Sequence, residues 1–475
     1  MIIHETGQKN HAQFEIEWEI ISALYQKLRI LGLRNSVFEA NAPDKGQMRD
    51  LRGRRVTVVG AGRSGRAAAA LAAREGGVVR LVDAAPRAVS ETGRTQIRAQ
   101  GIEIRTGAHR TEDFADTELV ILSPGIPVHK IAPFLHRPES IPVISELELA
   151  LGRVQEPIIA LTGTNGKTTT VSLTAHIFKS CGLECFEGGN IGTPLSEYVL
   201  SGQKKEVLVL EVSSFQLQHT YSLRPRVAVW LNFSDNHLDH HRDVQEYWQA
   251  KCSLFRNQNA EDSALIHASL WSKVRDTDLT RAQVTVFDQE HGFTAPQLPG
   301  IHNRSNMEAA YLACAQWGIS EHKAREAMFS YTPHPHRLQP VREKNGVLYV
   351  NDSKATTVHA LQAALDSFDR PIHLLAGGRY KGGDLHAVGE LIRQRVRSVT
   401  LFGESRDVFT RAWEGIVPVD WRPDLAQAVT HAAGLAAPGD VVLLSPATSS
   451  FDLFANYADR GDSFIRAVED LDNRE

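Results

Sequence analysis

Hydrophobic and polar positions follow a repeating order along most of the chain. A short aliphatic run ends in a glycine- or serine-rich turn, and the turn opens a segment with helical spacing. Val56-Thr57-Val58-Val59 reads as a buried strand, 60–65 as the turn and the alanine-rich 66–74 as a helix. Residues 78–82 (Val-Val-Arg-Leu-Val) give a second strand that ends at Asp83. Strand, turn, helix, strand is a βαβ unit, and such units build parallel sheets. A further strand at 119–122 runs into Ser123-Pro124-Gly125.

The order recurs twice. The apolar run 158–161 leads through 162–166 into a helix from Lys167, with further strands at 207–210 and 227–231. After about Pro335, strands at 348–350, 372–376, 398–402 and 441–444 alternate with helical segments. The expected fold class is therefore α/β, in three successive blocks. Residues 1–50 differ: Phe14, Trp18, Ile21, Tyr25 and Leu28 form one apolar stripe at helical spacing. A partly helical extension resting on the protein's own body is expected, because the heptads stop too soon for a coiled coil.

Composition narrows the function classes. A chain of 475 residues calls for two to four domains, and 42% hydrophobic with 23% charged residues is ordinary for a globular protein. The net charge of -4 offers no basic footprint for nucleic acid. Four cysteines (Cys181, Cys185, Cys252, Cys314) are too scattered for a disulfide framework, and no second pair completes a metal site with Cys181 and Cys185. No apolar run reaches the ~18 residues of a membrane span, and no signal-peptide pattern opens the chain. A monomer in the reducing cytoplasm is expected.

Two loops carry phosphate chemistry. Gly60-Ala61-Gly62-Arg63-Ser64-Gly65, with Asp83 some twenty residues on, matches the dinucleotide fingerprint. Its glycines allow a tight turn, and the helix start offers amides to a diphosphate, whether of a dinucleotide or of a UDP-sugar. Thr162-Gly163-Thr164-Asn165-Gly166-Lys167-Thr168-Thr169 is the more specific loop. Backbone amides there cradle phosphate, Lys167 neutralises it and the Thr168 hydroxyl can ligate Mg2+. Leu161 stands where the common form of this loop has glycine. A nicotinamide-dependent oxidoreductase, argued from the first loop, leaves the second unexplained.

Other candidates sit where strands end, at the mouth where parallel sheets bind ligands. Glu211 closes 207–210 and could hold Mg2+ or cap a helix. In 232–241 (Asn-Phe-Ser-Asp-Asn-His-Leu-Asp-His-His), a single Mg2+-associated histidine, His237, is preferred to a zinc site. The segments 351–356, 377–384 and 445–452 place lysines and hydroxyls at three mouths of the last block.

In order, these segments resemble the Mur ligase family from about residue 51 to the end. The resemblance rests on 163–169, Gly189-Asn190-Ile191-Gly192, 211–217, 232–239, His302-Asn303 with Asn306, His336-Arg337, Asn351-Asp352-Ser353-Lys354-Ala355-Thr356, Ser445-Pro446-Ala447 and Arg460-Gly461. The last two segments favour the glutamate-adding branch. The resemblance implies an extension (1–50), a UDP-binding Rossmann-like domain (51–147), a central ATPase with a P-loop and parallel sheet (148–334) and a C-terminal Rossmann-like domain for the amino acid (335–475). Gly62, Arg63, Ser64, Asp83, Ser123, Gly125 and Asn190 would then hold UDP-N-acetylmuramoyl-L-alanine. Gly163, Thr164, Asn165, Gly166, Lys167, Thr168, Thr169, Asn306, Arg337 and Asp352 would bind ATP. Thr168, Glu211, His237 and a carbamylated Lys251 would hold Mg2+, with Lys167, His237, Lys251 and Lys354 catalytic. Lys354, Thr356, Lys381, Ser450, Phe451 and Tyr457 would receive glutamate, Tyr457 standing where phenylalanine is common. An L-glutamate-adding variant, a sister Mur ligase and a folylpolyglutamate synthase type of ligase are the alternatives.

Overall fold

The computed structural model describes residues 50–471 apart from 87, 137–139, 235–240, 299–300, 334, 369 and 381–383. The N-terminal stripe, His237 and Lys381 lie outside the described residues. Three sheets follow one another along the chain.

The first contains β1 (Arg55–Val59), β2 (Val78–Asp83), β3 (Glu103–Thr106), β4 (Leu119–Leu122) and β5 (Val143–Ser145) in the order β3-β2-β1-β4-β5, all parallel. Strand order reverses between β1 and β4, which opens a crevice at their carboxyl ends. Helix α1 (Arg63–Arg74) joins β1 to β2 and starts three residues earlier than its alanines suggest. Helix α2 (Glu146–Leu151) leads out of the sheet, with the Ser145 hydroxyl accepting from Glu148 N as its cap.

The second sheet is also fully parallel, in the order β11-β10-β9-β6-β8-β7. Its strands are β6 (Ile158–Thr162), β7 (Cys185–Gly189), β8 (Val207–Glu211), β9 (Val227–Trp230), β10 (Ser263–His267) and β11 (Gln283–Phe287). Helix α3 (Lys167–Ser180) follows β6, α4 (Leu195–Ser201) precedes β8, and α5 (Val244–Cys252) and α6 (Ile301–Ala315) flank the later strands. The third sheet holds β12 (Gln339–Lys344), β13 (Val347–Asn351), β14 (Ile372–Gly377), β15 (Val396–Phe402), β16 (Val419–Trp421) and β17 (Val441–Leu444), and helix α7 (Tyr457–Glu469) packs on it. Here the sheet is mixed: β12 runs antiparallel to β13 through Asn345-Gly346, where φ of 52° and 75° makes the tight hairpin turn that asparagine and glycine tolerate.

The cores show which units are joined. One apolar cluster runs from Val56, Leu81 and Ile121 of the first sheet through Leu147 and Leu149 of α2 to Tyr198, Leu208 and Trp230 of the second. Polar contacts reinforce it. Arg63 and Arg74, at opposite ends of α1, grip opposite ends of α4: Arg63 pairs with Glu197, and Arg74 donates to the carbonyls of Val199 and Leu200. Glu146 is fully buried and accepts from Ser196 N at 2.6 Å, and burial pushes its carboxyl up to about 7. Among the described residues, the apolar clusters of the third sheet contain none from the other two.

Candidate active site

The loop between β6 and α3 is built as the sequence leads one to expect. Gly163 and Gly166 have φ of +157° and +79°. A side chain on Gly166 would also meet Asn306 Oδ1 at 2.4 Å, so both conformation and space demand glycine there. Asn232, just past β9, braces the loop: its Oδ1 accepts from Thr164 N at 3.0 Å and Asn165 N at 2.8 Å. Sequence reading gave Asn232 no role; the signal was an asparagine at a strand end neighbouring β6. Thr168 Oγ1 donates to Glu211 Oε2 at 2.8 Å, and Asn190 Nδ2 donates to Glu211 Oε1 at 3.1 Å. Glu211 is therefore no helix cap. It faces the loop.

Two lysines converge on one carbonyl. Lys167 Nζ lies 2.7 Å from Gly163 O and 2.8 Å from Thr164 O, and Lys251 Nζ lies 2.9 Å from the same Gly163 O. Lys251 is 1% exposed and its ammonium lies 4.6 Å from the centre of the Tyr247 ring. Burial drives the Lys251 amine well below its ordinary range, Lys167 adds to the depression and Glu211 opposes it. Burial also lowers Lys167, against the pull of Glu211. Lys251 is thus no ordinary surface lysine.

The third unit reaches this site through Arg337, whose Nη2 donates to Thr168 Oγ1 at 3.4 Å. Asp352 is buried, accepts from Leu338 N and Ser445 Oγ at 3.1 Å each, and is pushed up to about 7 by burial against the opposing charge of Arg337. Burial and then Arg337 bring Lys354 down to about 8, and its ammonium lies 5.9 Å from the Tyr457 ring centre. Ser450 is buried and Thr356 half-buried, while Phe451 and Tyr457 are exposed at the mouth.

Arg460 organises that mouth, a role sequence reading did not assign. Its fully buried guanidinium donates to Ser353 Oγ and O, Thr448 O and Gly377 O, which tie together the ends of β13, β14 and β17. Burial lowers it to about 10. The signal was a charge on the apolar face of α7, one turn before Phe464.

The first sheet presents the 60–65 glycine loop at its crevice. Gly65 lets α1 press against β1, since a Cβ there would stand 1.7 Å from Gly60 O. Asp83 accepts from Ala61 N at 2.7 Å and Ala85 N at 2.8 Å, and Ser123 Oγ donates to Gly60 O. Gly125 has φ +84°, and Ser64 is half-buried on the first turn of α1. Arg63 is turned across the interface, and Asn190 lies on the central unit beside Glu211.

Comparison with known proteins covers the same three units. The Mur ligase MurD-like N-terminal domain matches 54–145, the Mur ligase middle domain 161–290 and the Mur ligase glutamate ligase domain 336–448. The UDP-N-acetylmuramoylalanine--D-glutamate ligase of Desulfovibrio desulfuricans is 49% identical over 88% of this chain and 98% of its own. The enzyme of that name from Salinibacter ruber is 41% identical over 89% and 99%. Among solved structures, MurF ligase from Thermotoga maritima in complex with ADP aligns with a TM-score of 0.56 at 17% identity, over 90% of this chain and 97% of that one. MurC from Thermotoga maritima gives 0.54 at 18% identity, over 89% and 100%, a likeness of fold. On its sequence matches across all three units, the chain belongs to the Mur ligase family.

Proposed function

We propose that this protein is an ATP-dependent ligase that joins D-glutamate to UDP-N-acetylmuramoyl-L-alanine in peptidoglycan precursor synthesis, working in the cytoplasm where ATP is supplied. The observation that carries the reading is the contact of Arg337 with Thr168, which joins the third unit to the 162–169 loop. The D-glutamate ligases at 41–49% identity favour this substrate pair over the folylpolyglutamate, sister-ligase and L-glutamate alternatives. The second phosphate loop disfavours an oxidoreductase.

The alanyl carboxylate attacks the γ-phosphorus, the bond to the β–γ bridging oxygen breaks, and an acyl phosphate and ADP result. The neutral glutamate amine then adds to the acyl carbon, the bond from that carbon to the phosphate oxygen breaks, phosphate leaves, and the nitrogen gives up a proton as the amide forms. The obstacle is charge: a carboxylate must approach a polyanion, and each unit repulsion at ~4 Å and an effective dielectric of ~20 is about 4 kcal/mol. Lys167 and Arg337 meet it directly, with the loop amides around the phosphates. Thr168 and Glu211, 2.8 Å apart, are hard oxygen donors of the kind Mg2+ prefers and would hold it with His237 and a carbamylated Lys251. Bound there, Mg2+ would neutralise phosphate charge. Supporting the carbamate is the depressed Lys251 amine: in its neutral form it adds to CO2, a nitrogen–carbon bond forms as a C=O π bond opens, a proton is lost and the neutral amine becomes an anionic carbamate. Lys354, Thr356, Lys381, Ser450, Phe451 and Tyr457 would receive the glutamate.

Phosphate release with UDP-N-acetylmuramoyl-L-alanine, ATP and each glutamate enantiomer tests the reading. Release is expected with D-glutamate and at least tenfold less with L-glutamate. Release that ignores the UDP-sugar would overturn it.

A further inference from the structure

Arg63 is the first residue of α1, so its side chain leaves the diphosphate loop itself. Four of its five N–H donors cross to the central unit. Nε and Nη2 reach the two Glu197 carboxylate oxygens at 2.8 and 2.7 Å, Nη2 also reaches Thr193 Oγ1 at 3.2 Å, and Nη1 reaches Gly192 O at 2.8 Å. One Nη1 proton remains for an incoming phosphate oxygen.

From Gly192 a short path leads to the ATP loop. The turn 189–192 is pressed onto Glu211: Asn190 N donates to Glu211 O at 2.9 Å, and a Cβ on Gly189 would stand 2.4 Å from that same oxygen. Asn190 Nδ2 holds Glu211 Oε1 at 3.1 Å, and the other carboxylate oxygen accepts from Thr168. The turn cannot shift far without taking Glu211 with it. One side chain thus ties the loop that would take the UDP-sugar to the carboxylate facing the ATP phosphates.

We propose that Arg63 is a positioning residue that makes binding of the UDP-sugar and of ATP mutually reinforcing, by holding the 189–192 turn against Glu211. A diphosphate beside Arg63 fixes the guanidinium, hence Gly192 and Asn190, hence the orientation of Glu211 toward Thr168. The inference rests on the functional reading above. Coupling of this kind is reciprocal, so each ligand must tighten the other by one factor.

The test measures the affinity of a non-hydrolysable ATP analogue with and without saturating UDP-N-acetylmuramoyl-L-alanine, for the full chain and for Arg63→Ala and Glu197→Gln. The unaltered protein is expected to bind the analogue at least fivefold more tightly when the UDP-sugar is present. In Arg63→Ala the enhancement is expected to fall below twofold. Glu197→Gln, which keeps Arg63 but weakens its anchor, should cut the enhancement by at least half and decides the matter should Arg63→Ala fail to fold. A merely structural strap would change melting temperature and leave the enhancement intact, and that result overturns the proposal. So does an unaltered protein that binds both ligands without enhancement. A protein that binds neither ligand would instead sink the functional reading.

Discussion

Lys354 shows how burial sets a working pH. Held down to about 8 from an ordinary value of 10.5, its ammonium is lost as pH rises through about 8, long before a solvated lysine would discharge. The charge proposed to receive the glutamate carboxylate disappears with it. The kcat/KM for glutamate is expected to fall about fivefold between pH 8 and pH 9, whereas Lys354→Arg should flatten that limb because guanidinium stays charged. Parallel profiles for the two proteins would remove Lys354 from the glutamate site. Single residues were also where the sequence spoke least. Lys167 and Thr168 were legible because their loop chemistry is local. Asn232 and Arg460 were not, because each acts on backbone that only folding brings near: Asn232 on a loop 67 residues away, Arg460 on Ser353, 107 residues away.

Among elements, the glycine loops and the helices they open were the most legible. Strand β1, turn and α1 follow directly from an apolar run, glycines and alanines, and Gly65 has a specific reason to be glycine. Gly65→Ala places a methyl group against Gly60 O and should cost about 1–3 kcal/mol of overpacking. It should abolish UDP binding while ADP binding stays within twofold, both read by calorimetric titration; retained UDP affinity would mean the loop is not where the diphosphate sits. Several of the strands that escaped notice carry little apolar signal, although β10 (Ser-Ala-Leu-Ile-His) and β11 (Gln-Val-Thr-Val-Phe) were missed despite theirs. β3 is Glu-Ile-Arg-Thr, β7 ends in two glycines and β12 is Gln-Pro-Val-Arg-Glu-Lys. β12 matters most, because it turns an expected parallel block into a mixed sheet; Asn345-Gly346 was the available hairpin signal.

At the scale of the molecule, the shared apolar core joins the first two sheets and leaves the third to itself. Cooperativity follows cores, so two calorimetric transitions are expected instead of one. Gly65→Ala should lower the transition of the fused pair. Arg460→Ala, which removes one donor from each of four buried acceptors, should lower the other by roughly 5–10 °C. A single transition moved by both substitutions would contradict this division. The three-block arrangement was readable from the sequence, but which blocks are welded was not, because the weld depends on α2 and α4 meeting α1 in space.

Arg63 and Arg74 of α1 have a practical corollary. With α4 held at both its ends, a chain severed between α2 and β6 would leave fragments that must rebuild a continuous interior. Severed instead at 332–335, between the buried Tyr331 and His336, it would leave two halves that each keep their own interior whole. Such halves, produced separately, should find one another when nucleotide is added, which makes that junction the natural place to divide the enzyme into a reporter of its own assembly.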